Sequence, residues 1–163
     1  MLQPSDLKER EETLFTYYDL QADELYTFAV DRIKAHISAI SLVTGDMPPD
    51  IVHGIVPVDP AHAKMLFKDA GIEKHRLYRL TIDNLARQPI LIARLPDETC
   101  VIIDGNHHYV RAFQLGVEGL PCVITPEHIW RQYLVDISSL CPDKEERIKL
   151  FKKFSKEGFS GIQ

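Results

Sequence analysis

The sequence predicts a mixed α/β domain, a small sheet with helices flanking it, and three observations carry that prediction. Apolar residues recur at three- and four-residue steps before residue 45. Short β-rich apolar runs alternate with helix-compatible stretches after it. One such run, Thr99–Ile103, passes through Asp104-Gly105 directly into a helix-compatible segment. At 163 residues the chain is long enough to bury a core, since a fold of this size typically removes roughly two-thirds of its unfolded surface from water.

From Ser5 to about Val43, Leu14, Phe15, Tyr18, Leu25, Phe28, Ala29, Ile33, Ile37 and Ile40 follow helical spacing, so two amphipathic helices are expected. Gly45 and Met47-Pro48-Pro49-Asp50 then break the chain. Ile51–Val58 reads as a strand, with Pro57 placing it at an edge. Asp59-Pro60 supplies a capping side chain and a proline at the first helical position, predicting a helix over Ala61–Ala70 that stops at Gly71. Arg76–Ile82 and Pro89–Leu95 read as strands, the second continuously apolar as a buried strand would be. Asn106–Leu115 reads as a helix ending at Gly116, and Leu120–Ile124 as a strand. A helix follows over Glu127–Leu134, and Pro142 opens a charged helix running through about Phe154. The expected organisation is a helical extension over 1–45, an α/β core over 46–137, and a C-terminal helix and tail over 138–163, all packed as one domain.

Hydrophobic residues at 45% and charged residues at 26% are globular proportions, which excludes a disordered or fibrous chain. Nineteen Lys and Arg against 24 Asp and Glu give −5, which excludes a polycation that would coat DNA; any nucleic-acid contact must come from a local patch. Cys100, Cys122 and Cys141 form no CxxC pair and suit a reducing compartment. The charged start MLQPSDLKEREE has no signal-peptide apolar region, and no run reaches the roughly 20 apolar residues of a membrane span, so a cytoplasmic protein without a membrane partner is expected.

Chemistry concentrates at Asp104-Gly105-Asn106-His107-His108. A helix start exposes unpaired backbone N–H groups at the positive end of a dipole, and glycine lets a ligand approach the main chain, so the segment has the parts of an anion site that phosphate fits. His107, His108 and Arg111, the last one helical turn from both histidines, can add donors. Asp104 at the strand's end can hold a metal ion, accept a proton, or simply cap the helix. Adjacent histidines on a helix point about 100° apart, which disfavours their gripping one ion together. No phosphate loop ending in Gly-Lys-Ser/Thr is present.

Arg87-Gln88-Pro89-Ile90-Leu91-Ile92, Val101 to Tyr109, Leu115-Gly116 and Leu120-Pro121-Cys122-Val123 together resemble the ParB and sulfiredoxin superfamily in order and spacing, over about Thr81–Ile124. The resemblance implies a compact α/β fold binding nucleotide phosphates at the turn through His107 and the backbone from Gly105. It also makes Asp83 similar to a recurrent acidic position ahead of the family's second strand. Two departures matter. Asn106 stands where sulfiredoxins carry their catalytic cysteine, which argues against sulfinic acid reduction. His108 stands where an arginine is usual, with Arg111 a substitute, which makes binding pH-sensitive. The residues after Ile124 are too few for both a helix-turn-helix segment and a dimerising tail, so plasmid partition is not expected.

The leading expectation is therefore a protein that binds ATP or a related nucleotide and hydrolyses a phosphate ester, as ATPase or DNA nuclease. Gly105, Asn106, His107, His108 and Arg111 would hold phosphate. Asp104 or Asp83 would position Mg2+ or water, and Asp104, His107 and Asp83 form the catalytic set. Competing expectations are a small-molecule kinase and a non-catalytic nucleotide-sensing or protein-binding accessory or inhibitory protein of a plasmid or phage, acting with a partner or as a homodimer. The run Lys144–Phe154, four lysines and one arginine against two glutamates, is a modest basic patch for DNA.

Overall fold

A computed structural model describes residues 1–7, 12–44 and 51–151. In chain order the elements are β1 (Leu14–Asp19), β2 (Glu24–Ala29), α1 (Val30–Thr44), β3 (Val52–Pro57), α2 (Pro60–Asp69), α3 (Lys74–Arg79) and α4 (Ile82–Arg87). There follow β4 (Ile90–Arg94), β5 (Cys100–Asp104), α5 (Asn106–Gln114), β6 (Gly119–Thr125), α6 (Glu127–Trp130) and α7 (Lys144–Phe151). The chain is thus mixed α/β, and its described residues form two units: 1–7, 12–44 and 126–151 make one, and 51–125 the other. Residues 126–137, expected in the α/β core, group with the N-terminal residues.

In the first unit β1 and β2 pair as an antiparallel hairpin from Leu14↔Ala29 to Asp19↔Glu24. The first expected helix and the start of the second, through Ala29, are therefore a hairpin, and only the rest of the second survives, as α1. The reason lies in the side chains. Leu14-Phe15-Thr16-Tyr17-Tyr18 and Leu25-Tyr26-Thr27-Phe28 are aromatic and β-branched, types that lose rotamer freedom in a helix and pack well across strands. Consecutive residues are buried in both strands, which hides the period-two signature and lets the apolar spacing imitate a helix. The turn is closed by Asp19, whose Oδ1 accepts from the N–H groups of Gln21 and Ala22 at 3.1 and 3.3 Å. Phe28 and Tyr26 pack edge-on against Trp130, each with centroids 5.3 Å from the indole. The helix expected over Glu127–Leu134 is one turn of α6 and then a 3-10 turn, Arg131–Tyr133. The C-terminal helix starts as expected, and its predicted continuation to Phe154 lies outside the described residues.

The second unit is built on a four-stranded sheet in the order β3-β6-β4-β5, with β4 and β6 parallel and the two outer pairings antiparallel. β3 is an edge strand, as Pro57 requires. β4 contributes Ile90, Leu91, Ile92 and Ala93 to the core and β5 contributes Cys100, Val101, Ile102 and Ile103. The strand expected over Arg76–Ile82 is instead helix α3, a short link and the start of α4. Thr81 and Asn84 form a reciprocal cap, the Thr81 hydroxyl accepting from Asn84 N–H at 3.2 Å and Asn84 Oδ1 accepting from Thr81 N–H at 3.0 Å. Leu77 and Leu85 are the buried residues of the two helices.

Candidate functional site

The turn from β5 into α5 is shaped by Gly105. Its φ of 111° is a conformation that side-chain-bearing residues rarely adopt, and a Cβ built there would meet Ile90 Cβ at 2.7 Å. Glycine here is demanded by the packing of the turn against the first residue of β4. It also leaves α5 with no side-chain acceptor at its N-cap, so the first-turn N–H groups receive nothing from that position.

Asn106, the first helical residue, is 9% exposed. Its Nδ2 donates to Ile102 O at 3.4 Å, and its Oδ1 is buried with no hydrogen-bond partner among the described residues. His107 and His108 diverge, as adjacent helical residues must. His107 Nε2 accepts from the Glu73 N–H at 3.0 Å, just ahead of α3, while His108 Nε2 lies 3.1 Å from Gln88 Oε1, just beyond α4. Burial and then the positive charge of Arg76 push the His107 pKa below the usual imidazole range. His107 Nε2 is therefore an acceptor toward α3, which makes the ring neutral and leaves its proton on Nδ1. Arg111 is also engaged. Its Nε donates to Leu80 O at 3.1 Å, Nη1 donates to Gln114 Oε1 at 3.1 Å, and Cζ lies 5.8 Å from the Tyr78 ring centroid.

The two carboxylates of the expected catalytic set sit on different elements. Asp104 ends β5, half-buried and opposite Leu91 of β4. Asp83 lies in the exposed first turn of α4, with Oδ1 3.2 Å from Arg87 Nε. Among the described residues no group of three or more His, Cys, Asp or Glu is arranged to hold a metal ion. The described residues thus form no protein cage for Mg2+. In the C-terminal patch Lys144 Nζ pairs with Asp23 at 2.9 Å and Arg147 Nη1 donates to the carbonyls of Cys141 and Pro142. Lys152 and Lys153 lie outside the described residues.

Three residues near the turn escaped sequence reasoning. Tyr109 is buried, donates its hydroxyl to Pro57 O at 3.0 Å and accepts from the Asp59 N–H at 2.7 Å, fastening α5 to the β3–α2 junction. His62 stands edge-on to the Tyr109 ring at 5.3 Å, and burial lowers its pKa. Arg76 brings positive charge to the face of His107. A tyrosine at a core-facing helical position carries no sequence signal for a polar role, and Arg76 is obscured by the strand expected there. No helix among the described residues is long and apolar enough to cross a membrane. Searches of protein-family models, curated proteins and solved structures found no match to this chain.

Proposed function

We propose that the unit of residues 51–125 is a nucleotide-binding module of the ParB/sulfiredoxin type that takes a nucleotide phosphate at the start of α5. The observation that carries this is the cap. Asp59 supplies its own carboxylate to the start of α2, accepting from Ala61 N–H at 3.2 Å, whereas Gly105 supplies nothing to the start of α5. An anion completes such a helix end by accepting from the first-turn N–H groups. The neutral His107 keeps Nδ1–H as a further donor, and Arg76 adds positive charge beside it. Arg111 and His108 act from behind, holding the α3–α4 link and the end of α4.

Binding is the extent of the proposal. Hydrolysis or transfer to a hydroxyl would need a base or a metal-held water, and no arrangement of Asp104 and Asp83 favours either. A cytoplasmic setting belongs to the same proposal, since nucleotides are abundant there and Cys100, Cys122 and Cys141 are free thiols.

The test is calorimetric titration of ATP, ADP and adenosine, with and without Mg2+, into the protein and His107→Ala, alongside a phosphate-release assay. ATP and ADP should bind, adenosine should not, His107→Ala should weaken both nucleotides, and no phosphate should be released. Failure of the intact protein to bind either nucleotide would overturn the assignment, and steady phosphate release would show that it stops one step too early.

A further inference from the structure

We infer that helix α3 is a binding surface for single-stranded nucleic acid, with phosphates held by Lys74, Arg76 and Arg79 and an unpaired base stacked on Tyr78. This lies beyond the mononucleotide proposal and does not rest on it.

α3 reads Lys-His-Arg-Leu-Tyr-Arg, and only Leu77 is buried; the other five side chains are exposed, Tyr78 at 71%. Tyr78 is the most exposed large apolar side chain among the described residues of this unit, and it is flanked by cations on its own helix. Charge is concentrated at the same place. Residues 51–125 contain eight Lys and Arg against eight Asp and Glu, yet four of those eight cations, Lys74, Arg76, Arg79 and Arg111, lie on α3 or against its tyrosine. Neighbouring acids are occupied elsewhere: Glu73 lies 3.4 Å from His75 and Asp83 pairs with Arg87. Among the described residues no carboxylate pairs with Lys74, Arg76 or Arg79.

The surface is also held in place. α5 grips α3 at both ends, through the Glu73 N–H to His107 at its start and Leu80 O to Arg111 just past its end. A six-residue helix has little stability alone, so this double anchoring is what keeps the cations and the ring displayed together.

The chemistry selects the partner. A polyanion alone satisfies the cations, and Lys74 and Arg79, about 7.5 Å apart along the axis, span more than one anionic group. Only a polyanion with accessible π-faces also uses the ring, and bases offer those faces when unstacked, not inside a duplex. An acidic peptide would leave Tyr78 without a role.

The test is fluorescence anisotropy of the full chain with labelled oligothymidylate and oligouridylate of about 20 nucleotides, and a duplex of equal length, at about 50 and about 200 mM salt. Either single strand should bind more tightly than duplex. Affinity should fall with salt with a log–log slope of about −2 to −3, as for three or four neutralised phosphates. Tyr78→Ala should weaken binding about tenfold while Tyr78→Phe retains it. The double change Arg76→Glu, Arg79→Glu should abolish it. These side chains are exposed, so the fold survives the substitutions, which circular dichroism checks. Comparing the two single strands tells DNA from RNA as the source. No binding of either single strand, or equal binding of duplex with Tyr78→Ala unchanged, would overturn the inference.

Discussion

Two helices of the α/β unit begin immediately after a strand, and they begin in opposite ways. α2 follows β3 through Val58-Asp59, and Asp59 closes the helix start with its own carboxylate while its N–H is taken by the Tyr109 hydroxyl. α5 follows β5 through Gly105 alone, in a left-handed conformation with no side chain to offer. The same strand-to-helix connection therefore carries a side-chain cap from its N-cap residue in one place and none from that residue in the other. A sealed start is complete without a ligand, because its dipole already faces a negative charge. A start whose N-cap residue offers no side chain is where the proposed nucleotide phosphate would act.

The largest effect is expected at Gly105. Gly105→Ala should destabilise the protein by about 2–4 kcal/mol, combining a strained positive φ with a forced contact against Ile90. Chemical denaturation measures this, and trimming Ile90 to Ala in the same chain should not restore the original stability, because the Ile90 Cβ that the new methyl meets remains and a buried side chain is lost. An alanine variant as stable as the original would mean that the turn is not built as described. The next effect is at Tyr109, which ties the two helix starts together. Tyr109→Phe removes the hydroxyl that serves both the Asp59 N–H and the Pro57 carbonyl and should cost about 1–2 kcal/mol. Smaller again is Asp59→Ala, which removes only the α2 cap. A loss of about 1 kcal/mol is expected, with nucleotide affinity unchanged in calorimetry. A fall in affinity equal to that of His107→Ala would show that the two helix starts are not functionally distinct.

Where the sequence was legible, a single residue type dictated local geometry. Asp59-Pro60 fixed the start of α2, Pro57 placed β3 at an edge, Gly71 and Gly116 with φ near 70° ended α2 and α5, and the glycine after Ile103-Asp104 marked the strand-to-helix turn. It was illegible where tertiary packing overrode spacing. The β1–β2 hairpin is buried on consecutive residues and so lost its alternation, and Arg76–Ile82 has strand-like content but takes its structure from the Thr81–Asn84 cap and from anchors on α5. At the candidate site, sequence located the turn and its histidines but not their protonation or direction. Those depend on Glu73 and Leu80, residues some 30 positions away, whose backbone groups absorb His107 and Arg111. Asp83, just past the end of the expected strand, lies instead in the first turn of α4 and pairs with Arg87.

The subtlest way to sharpen the comparison is pH. His107 and His62 both have folded values below that of a free imidazole, from burial first, with Arg76 adding to the effect on His107. Below about pH 6.5 the unfolded chain therefore takes up protons that the folded chain resists. Stability from these histidines is fully present above that pH and is lost as pH falls through their lower folded values. For His107 the structural correlate is the bond from Glu73 N–H, which a protonated ring cannot accept. His107→Gln offers an uncharged acceptor that cannot titrate, so denaturation curves taken between about pH 7.5 and pH 5.5 should show a shallower loss for the glutamine variant than for the original chain. Equal losses would remove His107 from the acid response and, with it, the neutral ring that its acceptance from the Glu73 N–H requires. A shallower loss that nonetheless persists in part would leave the remainder to His62, testable by adding His62→Gln to the same chain.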